Sequence, residues 1–372
     1  MATQDENLRG IAATVRGINF ALSSESIGLR IRRVMVVTKI HDSTLPGKTK
    51  ELVEWVLRNR KEVIISVQDI LQAKPEFDHD GILTRVPNSS CRLEFWSVAN
   101  VADEPNSFDM IITLGGDGTV LFTAWMFQQV IPPVLSFGLG SLGFMTGNNF
   151  KDFRERITSC FDEGICCNLR MRFAVVVMRA TIRHSKGPKS LRLEITQGGG
   201  HADGEQTHNA EESFTILNDI VVDRGPNPNL TMTELYANSE FITTITADGV
   251  VLSTPTGSTA YSMSAGGSLV HPEIGATMIT PICPHSLSFR PLILPDSMVV
   301  SIGVPYDARV SAYASFDGRE RVELLPGDYL VVKASRFPFA KILDPKDTSA
   351  TWVKRLGHNL HWNENRRLRA FS

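Results

Sequence analysis

The chain has 372 residues, of which 42% are hydrophobic and 21% charged, the balance of a soluble globular protein and not of a disordered one. Lys and Arg total 38 against 40 Asp and Glu, a net charge of −2, which argues against capture of nucleic acid or an anionic membrane by bulk charge. This length calls for one large or two medium domains.

The five cysteines, Cys91, Cys160, Cys166, Cys167 and Cys283, form no CxxC pair, and so sparse a set fits reduced thiols in a cytoplasmic protein. Vicinal Cys166 and Cys167 read as packing residues, with a redox switch as the alternative. The N-terminus carries Asp5 and Glu6 and no apolar run, so it reads as neither a secretory signal nor a transit peptide. Residues 118–150 contain no charge, but Gln128, Gln129, Pro132, Pro133 and five glycines interrupt them. A span needs about 20 continuous apolar residues, so this stretch reads as buried α/β core.

After an N-terminal extension (1–33), strands are expected at Val34–Thr38, Val63–Val67, Phe108–Leu114 and Val134–Phe137. A helical pattern runs from Thr49 to Arg60, and Val120–Gln129 is apolar nearly all round, as suits a helix on a sheet. This alternation predicts a parallel, Rossmann-like sheet over 34–164. From about 165 to 343 the texture becomes β-rich, with strands expected at Phe173–Ala180, Leu191–Ile195, Phe214–Val222, Glu234–Tyr236, Phe241–Thr246, Val299–Val304, Ala312–Phe316 and Tyr329–Lys333. The polar, glycine-rich stretch 197–212 reads as a mobile loop in a hairpin, with a metal cluster of His201, Asp203 and His208 as the alternative. The segment 344–372, with Trp352, Leu356, Leu360 and Trp362 before Arg366–Arg369, is expected to be a helix packing back on the first domain.

Four segments carry chemistry. Leu114-Gly115-Gly116-Asp117-Gly118-Thr119 joins a strand to a helix, where glycine backbone and a helix N-terminus receive an anion. No Lys follows, so it is not a P-loop. An acid inside a phosphate turn repels phosphate and must serve some other purpose. Asp117 either takes a proton, helps hold a phosphate-bound cation, or caps the helix. Phe137-Gly138-Leu139-Gly140 places a second glycine turn at the same sheet edge. Asp248–Gly267 runs a strand into small hydroxyl residues around Gly257, either a bed for a flat ligand or a tight packing turn. Asn218-Asp219 sets two polar residues in an apolar strand, and at least one must face inward and find a partner.

The order Gly115–Thr119, Asn218-Asp219, Ser253-Thr-Pro-Thr-Gly-Ser-Thr-Ala-Tyr261, Gly266-Gly267, His271-Pro272, Pro281–Pro291 and Ser315-Phe-Asp-Gly-Arg319 resembles the NAD kinase family, over roughly Val34 to Trp362. The wording at Asp223-Arg-Gly-Pro226 and Ile282–Pro291 is similar to its eukaryotic, fungal branch. The resemblance implies an α/β domain, a β-sandwich-like domain and a dinucleotide between them. It implies transfer of phosphate from ATP, with Mg²⁺ arriving on the nucleotide, to the adenosine-ribose 2′-hydroxyl of NAD, NADH being a second possible acceptor. Asp117 matches the family's base. Gly116, Gly118, Asn218, Asp219, Asp248, Thr256, Thr259, Ala260, Tyr261 and Ser264 match dinucleotide positions, and Gly115, Thr119, Gly138 and Gly140 the ATP phosphates. Asp219 stands where the family more often has Glu. A homo-oligomer, dimer or tetramer, is implied, with no nucleic-acid or membrane partner. A lipid or sphingoid kinase shares a GGDGT-like turn but needs an acyl channel. A non-enzymatic NAD(P) sensor needs no base, and Asp117 is present. His271 and His285 read as structural, while Arg290 and Arg319 are open between phosphate neutralisation and structural ion pairs.

Overall fold

A computed structural model describes residues 28–40, 42–104, 106–139, 143–181, 190–198, 201–202, 205–344, 349–360 and 362. The chain divides into two compact units: Met1–Leu169 with Ala340–Ser372, and Arg170–Phe339. The extension 1–27, Gly140, Asp203 and the basic run 366–369 lie outside the described residues.

The first unit is built on an eight-stranded sheet whose path runs Leu93–Trp96, Ile64–Gln68, Arg33–Thr38, Met110–Leu114, Val134–Gly138, Phe339–Ile342, Cys167–Arg170. The pairings from Leu93–Trp96 through Phe339–Ile342 are parallel. Between the first and second strands in sequence runs the helix Leu45–Asn59, which carries Pro46 in its first turn, where a missing N–H costs nothing. Its Leu45, Leu52, Val53, Val56 and Leu57 join Val34, Val36, Ile65, Val67, Ile112 and Leu114 in one apolar core. The direction of winding reverses between Arg33–Thr38 and Met110–Leu114, the topological switch point at which open α/β sheets receive ligands. Gly115 follows directly.

The second unit is an eleven-stranded sheet, antiparallel at every described pairing. Its longest strand, Glu240–Ser253, pairs with Thr231–Ala237 along its first half and with Asp219–Asp223 and Ala276–Pro284 along its second. Alternate residues such as Ile220, Val222, Val250, Leu252, Ala314 and Phe316 face one core.

Several sequence expectations are corrected. Cys167–Arg170 and Phe339–Ile342, read as part of the β-rich domain, belong to the parallel sheet. Strands of four residues such as Cys-Asn-Leu-Arg and Phe-Ala-Lys-Ile carry too little periodicity to say which sheet they join. Leu191–Ile195, read as a strand, begins the helix Leu191–Gly198. Its Leu191, Glu194 and Ile195 are buried, as i, i+3, i+4 periodicity requires, and pack by Tyr236 and Tyr329, whereas Leu193 is 53% exposed. The expected loop 197–212 enters a strand at His208, a buried residue whose Nε2 meets the Gly327 carbonyl at 2.7 Å and whose Nδ1 meets Thr207 Oγ1 at 2.9 Å. The strands Ala276–Pro284, Leu292–Pro295 and Arg319–Leu324 escaped the sequence reading because prolines and charges interrupt their apolar pattern. The terminal helix Ser349–Leu360 belongs to the first unit and buries Leu356.

A strand would put residues 191, 193 and 195 on one face; the helix does not. Leu191→Ala should therefore lower stability by about 2–5 kcal/mol, and Leu193→Ala by less than about 0.5 kcal/mol. Denaturant midpoints of the two variants decide it, and equal losses would restore the strand.

Candidate functional site

In the first unit the two glycine turns stand side by side, because Leu114 is in register with Phe137 and the Gly115 N–H donates to the Phe137 carbonyl at 3.1 Å. The helix Asp117–Met126 starts here with Gly116 as its N-cap, so Asp117 is the first helical residue and does not occupy the capping position. Its carboxylate turns instead to the segment after the second strand. Oδ2 accepts the Phe144 N–H at 2.9 Å, and Oδ1 accepts the N–H groups of Met145 at 3.1 Å and Thr146 at 3.0 Å. The Thr146 hydroxyl adds a fourth bond to the carboxylate, the third on Oδ1, at 3.0 Å and accepts the Gly143 N–H at 2.8 Å. Oδ1 is thus filled, while Oδ2, with one donor, keeps a lone pair for a proton. Thr119 is buried and its side chain packs into the turn, where a Cβ at Gly115 would come within 2.2 Å of its Oγ1. Gly118 stands open, with space around its α-carbon.

In the second unit Asn218 and Asp219 gather around another carboxylate, that of Asp317, whose role no local sequence signal marks. Asp317 occupies the tip of the hairpin between Ala312–Phe316 and Arg319–Leu324 with φ of 50°, followed by Gly318 at 68°, the two positive values that a type I′ turn needs. Asp317 accepts the N–H groups of Leu217 at 2.8 Å, Asn218 at 2.7 Å and Asp219 at 3.1 Å, and its own N–H donates to the Asp219 carbonyl at 3.0 Å. Burial raises Asp317 above the usual carboxylate range, against the pull of those three donors. Burial, with the Asp317 charge beside it, pushes Asp219 up to about 7. Asn218 is 7% exposed, and its Oδ1 has no hydrogen-bond partner among the described residues.

The turn after Glu240–Ser253 is fastened to this one. The Asn218 carbonyl accepts the Thr254 N–H at 2.9 Å, and Thr254 Oγ1 donates to the Leu217 carbonyl at 2.6 Å. A side chain at Gly257 would bring its Cβ within 2.3 Å of the Asn218 carbonyl oxygen, so this close approach requires glycine. Ser258 bonds to the Pro255 and Val270 backbones. Thr256 is buried and Thr259 bonds back to its carbonyl at 3.3 Å, leaving Ala260, Tyr261 and Ser264 as the outward-facing end. The Tyr261 ring is 44% exposed, and its phenol is raised by burial and by the charges of Asp223, Cys283, Asp219 and Asp248. Asp248 itself is paired with Arg224 at 2.8 Å, and Arg321 with Asp223 at 3.1 Å. Arg290 donates to the Leu287 and Phe289 carbonyls. Burial pushes Cys160 up to about 11 and Cys167 up to about 12, which keeps both thiols protonated and unreactive at neutral pH. No group of three or more His, Cys, Asp or Glu placed to hold a metal stands among the described residues.

Chemically, the second unit offers a bare acceptor on Asn218 and a carboxyl on Asp219 that can donate or accept near neutral pH, a pair suited to sugar hydroxyls. The first unit offers a glycine turn at a switch point with a carboxylate inside it. A parallel α/β unit carrying such a turn, joined to an antiparallel unit carrying such a pair, defines a nucleotide-handling protein.

Two family models agree with this: the ATP-NAD kinase N-terminal domain matches residues 34–165 and the ATP-NAD kinase C-terminal domain residues 217–343. The ATP-NADH kinase YEF1 of Saccharomyces cerevisiae is 36% identical over 364 residues, covering 97% of this chain and 70% of that protein. An NAD(+) kinase of the same yeast is 38% identical over 362 residues, 96% of this chain and 65% of the relative. Among solved structures, a yeast NADH kinase complexed with NADH superposes with a TM-score of 0.74 at 31% identity, over 91% of this chain and 90% of the other. The chain belongs to the NAD kinase family.

Protonated Asp219 and Asp317 are more stable in the folded chain than in the unfolded one, so folding binds protons. Stability from this pair is therefore full below about pH 4 and falls as pH rises towards about 7, where Asp219 ionises. Asp219→Asn removes most of that slope, and its melting temperature relative to the parent should be higher at pH 8 than at pH 5. An offset equal at the two pH values would contradict the buried pair.

Proposed function

We propose that this kinase transfers the γ-phosphate of MgATP to the adenosine-ribose 2′-hydroxyl of NAD, forming NADP. The single observation that carries the reading is the Asn218-Asp219 turn, where a buried acceptor without a partner adjoins a carboxyl held near neutrality, in a chain of this family. In the proposed step the ribose oxygen forms a bond to the γ-phosphorus, the bond from that phosphorus to the bridging oxygen breaks, and ADP departs. The hydroxyl proton passes to Asp117 Oδ2. Such a transfer rests on positioning and charge neutralisation, so one base among many backbone donors suffices. Mg²⁺ belongs to the nucleotide substrate in this scheme, held by phosphates and water.

Gly115, Thr119 and Gly138, with the Asp117–Met126 helix N-terminus, are assigned to the ATP phosphates, and Gly116 and Gly118 to the dinucleotide. Asn218, Asp219, Thr256, Thr259, Ala260, Tyr261, Ser264 and Asp248 are assigned to the dinucleotide, with Tyr261 stacking on a ring. The carboxylates around Tyr261 disfavour a phosphate there and suit the sugar and base ends. NADH is a second acceptor in this proposal, supported by the relatives named for it. No helix among the described residues is long and apolar enough to cross a membrane; a cytoplasmic homo-oligomer completes the proposal.

Purified protein incubated with NAD, ATP and Mg²⁺ should yield NADP; its absence at saturating substrates would remove the reading. Asn218→Ala and Tyr261→Ala should weaken NAD binding roughly 2- to 150-fold, the range of one lost or orphaned hydrogen bond. Unchanged titrations would take these residues out of the site. Asp117→Asn should lower kcat by about 10²–10⁴-fold, and it also sets an amide N–H against donors that need an acceptor. Thr146→Val loosens the same turn but keeps the carboxylate, and should cost much less; equal losses would make Asp117 a clamp only.

A further inference from the structure

The peptide joining Phe144 to Met145 is held from both ends. Its N–H, that of Met145, points to Asp117 Oδ1 at 3.1 Å. Its carbonyl, that of Phe144, faces two cations from the C-terminal part of the chain: Lys341 Nζ at 3.4 Å and a guanidinium nitrogen of Arg355 at 3.5 Å. Lys341 projects from the strand Phe339–Ile342 and is only 2% exposed. Arg355 projects from the helix Ser349–Leu360 and lies over Gly147, where a Cβ would come within 2.8 Å of its Nη2.

A planar trans peptide points its C=O and N–H in opposite directions, so a group that fixes one fixes the other. Positive charge at the carbonyl also polarises the peptide and strengthens its N–H as a donor. An ammonium is expensive to bury, and this one reaches the carbonyl of the peptide whose N–H holds the carboxylate.

We propose that Lys341 and Arg355 are positioning residues for Asp117, acting through the Phe144–Met145 peptide to hold Oδ1 and thereby aim Oδ2. This rests on the reading of Asp117 as the base. The assignment is not legible from the glycine motif, since the two cations follow it by more than two hundred residues. It also gives the C-terminal return of the chain a role beyond packing.

The test is a set of full-length variants, Lys341→Met, Arg355→Gln and Arg355→Lys, each in the parent and in Asp117→Asn. Lys341→Met and Arg355→Gln should each lower kcat about tenfold, well within what small displacements of a reacting group cost, with KM for NAD within about twofold. Arg355→Lys should restore most of kcat. In Asp117→Asn the same substitutions should change kcat less than about twofold, because what they position is gone. Losses of equal size in both backgrounds, or no loss in the parent, would overturn the proposal. Amide exchange at Met145 supplies a readout that needs no turnover: it should accelerate about tenfold in Lys341→Met and Arg355→Gln, as a weakened hydrogen bond opens. If the parent makes no NADP, the kinase reading fails, and unchanged Met145 exchange would overturn the positioning separately.

Discussion

Three amide hydrogens, from Leu217, Asn218 and Asp219, converge on the carboxylate of Asp317, and most of what the second unit offers a ligand follows from that convergence. A buried carboxyl that gathers backbone donors fixes the dihedral angles of the turn it holds, since releasing the turn would strand those donors. With the backbone so fixed, the Asn218 carbonyl becomes the anchor for Thr254, Gly257 must lack a side chain, and Oδ1 of Asn218 stays bare. The same carboxylate places a charge beside Asp219 and, with burial, keeps that carboxyl near neutrality.

The first unit repeats the device with different parts. Asp117 gathers the amides of residues 144 to 146, so the acid in the glycine turn ties the helix that opens there to the segment after the next strand. A carboxylate held this way, by three backbone amides and the Thr146 hydroxyl, is oriented without a general-base partner, which suits phosphoryl transfer, where placement matters more than reactive groups. It carries a consequence for mutagenesis: an Asn at position 117 disturbs the clamp as well as the proton acceptor, so loss of rate alone does not separate the two roles.

Much of this was legible in the sequence and some was not, for physical reasons. Glycines around Asp117 and the polar pair Asn218-Asp219 break the local apolar pattern, and such breaks are visible residue by residue. Alternating strands and helices before residue 165 gave the parallel sheet, because each element has its own period. What escaped depends on distance. Asp317 carries no local mark of its role, because its donors lie about a hundred residues away. Thr146 and Thr254 look like generic polar residues until their backbone partners are known. Leu191–Ile195 alternates like a strand, and the helical face shows in the exposure of Leu193 and the burial of Glu194 beside Tyr306, whose hydroxyl donates to it at 2.8 Å.

Asp317, which need not touch a ligand, is in this view the group that builds the surface proposed for the dinucleotide. Calorimetric titration of NAD into the parent and into Asp317→Asn tests it most directly, with melting temperatures confirming that the variant is folded. Asn supplies one acceptor in place of two and sets an N–H against the Leu217–Asp219 amides, so NAD affinity should fall by about tenfold or more, as expected for an orphaned buried donor. A folded Asp317→Asn protein that binds NAD as tightly as the parent would contradict that view.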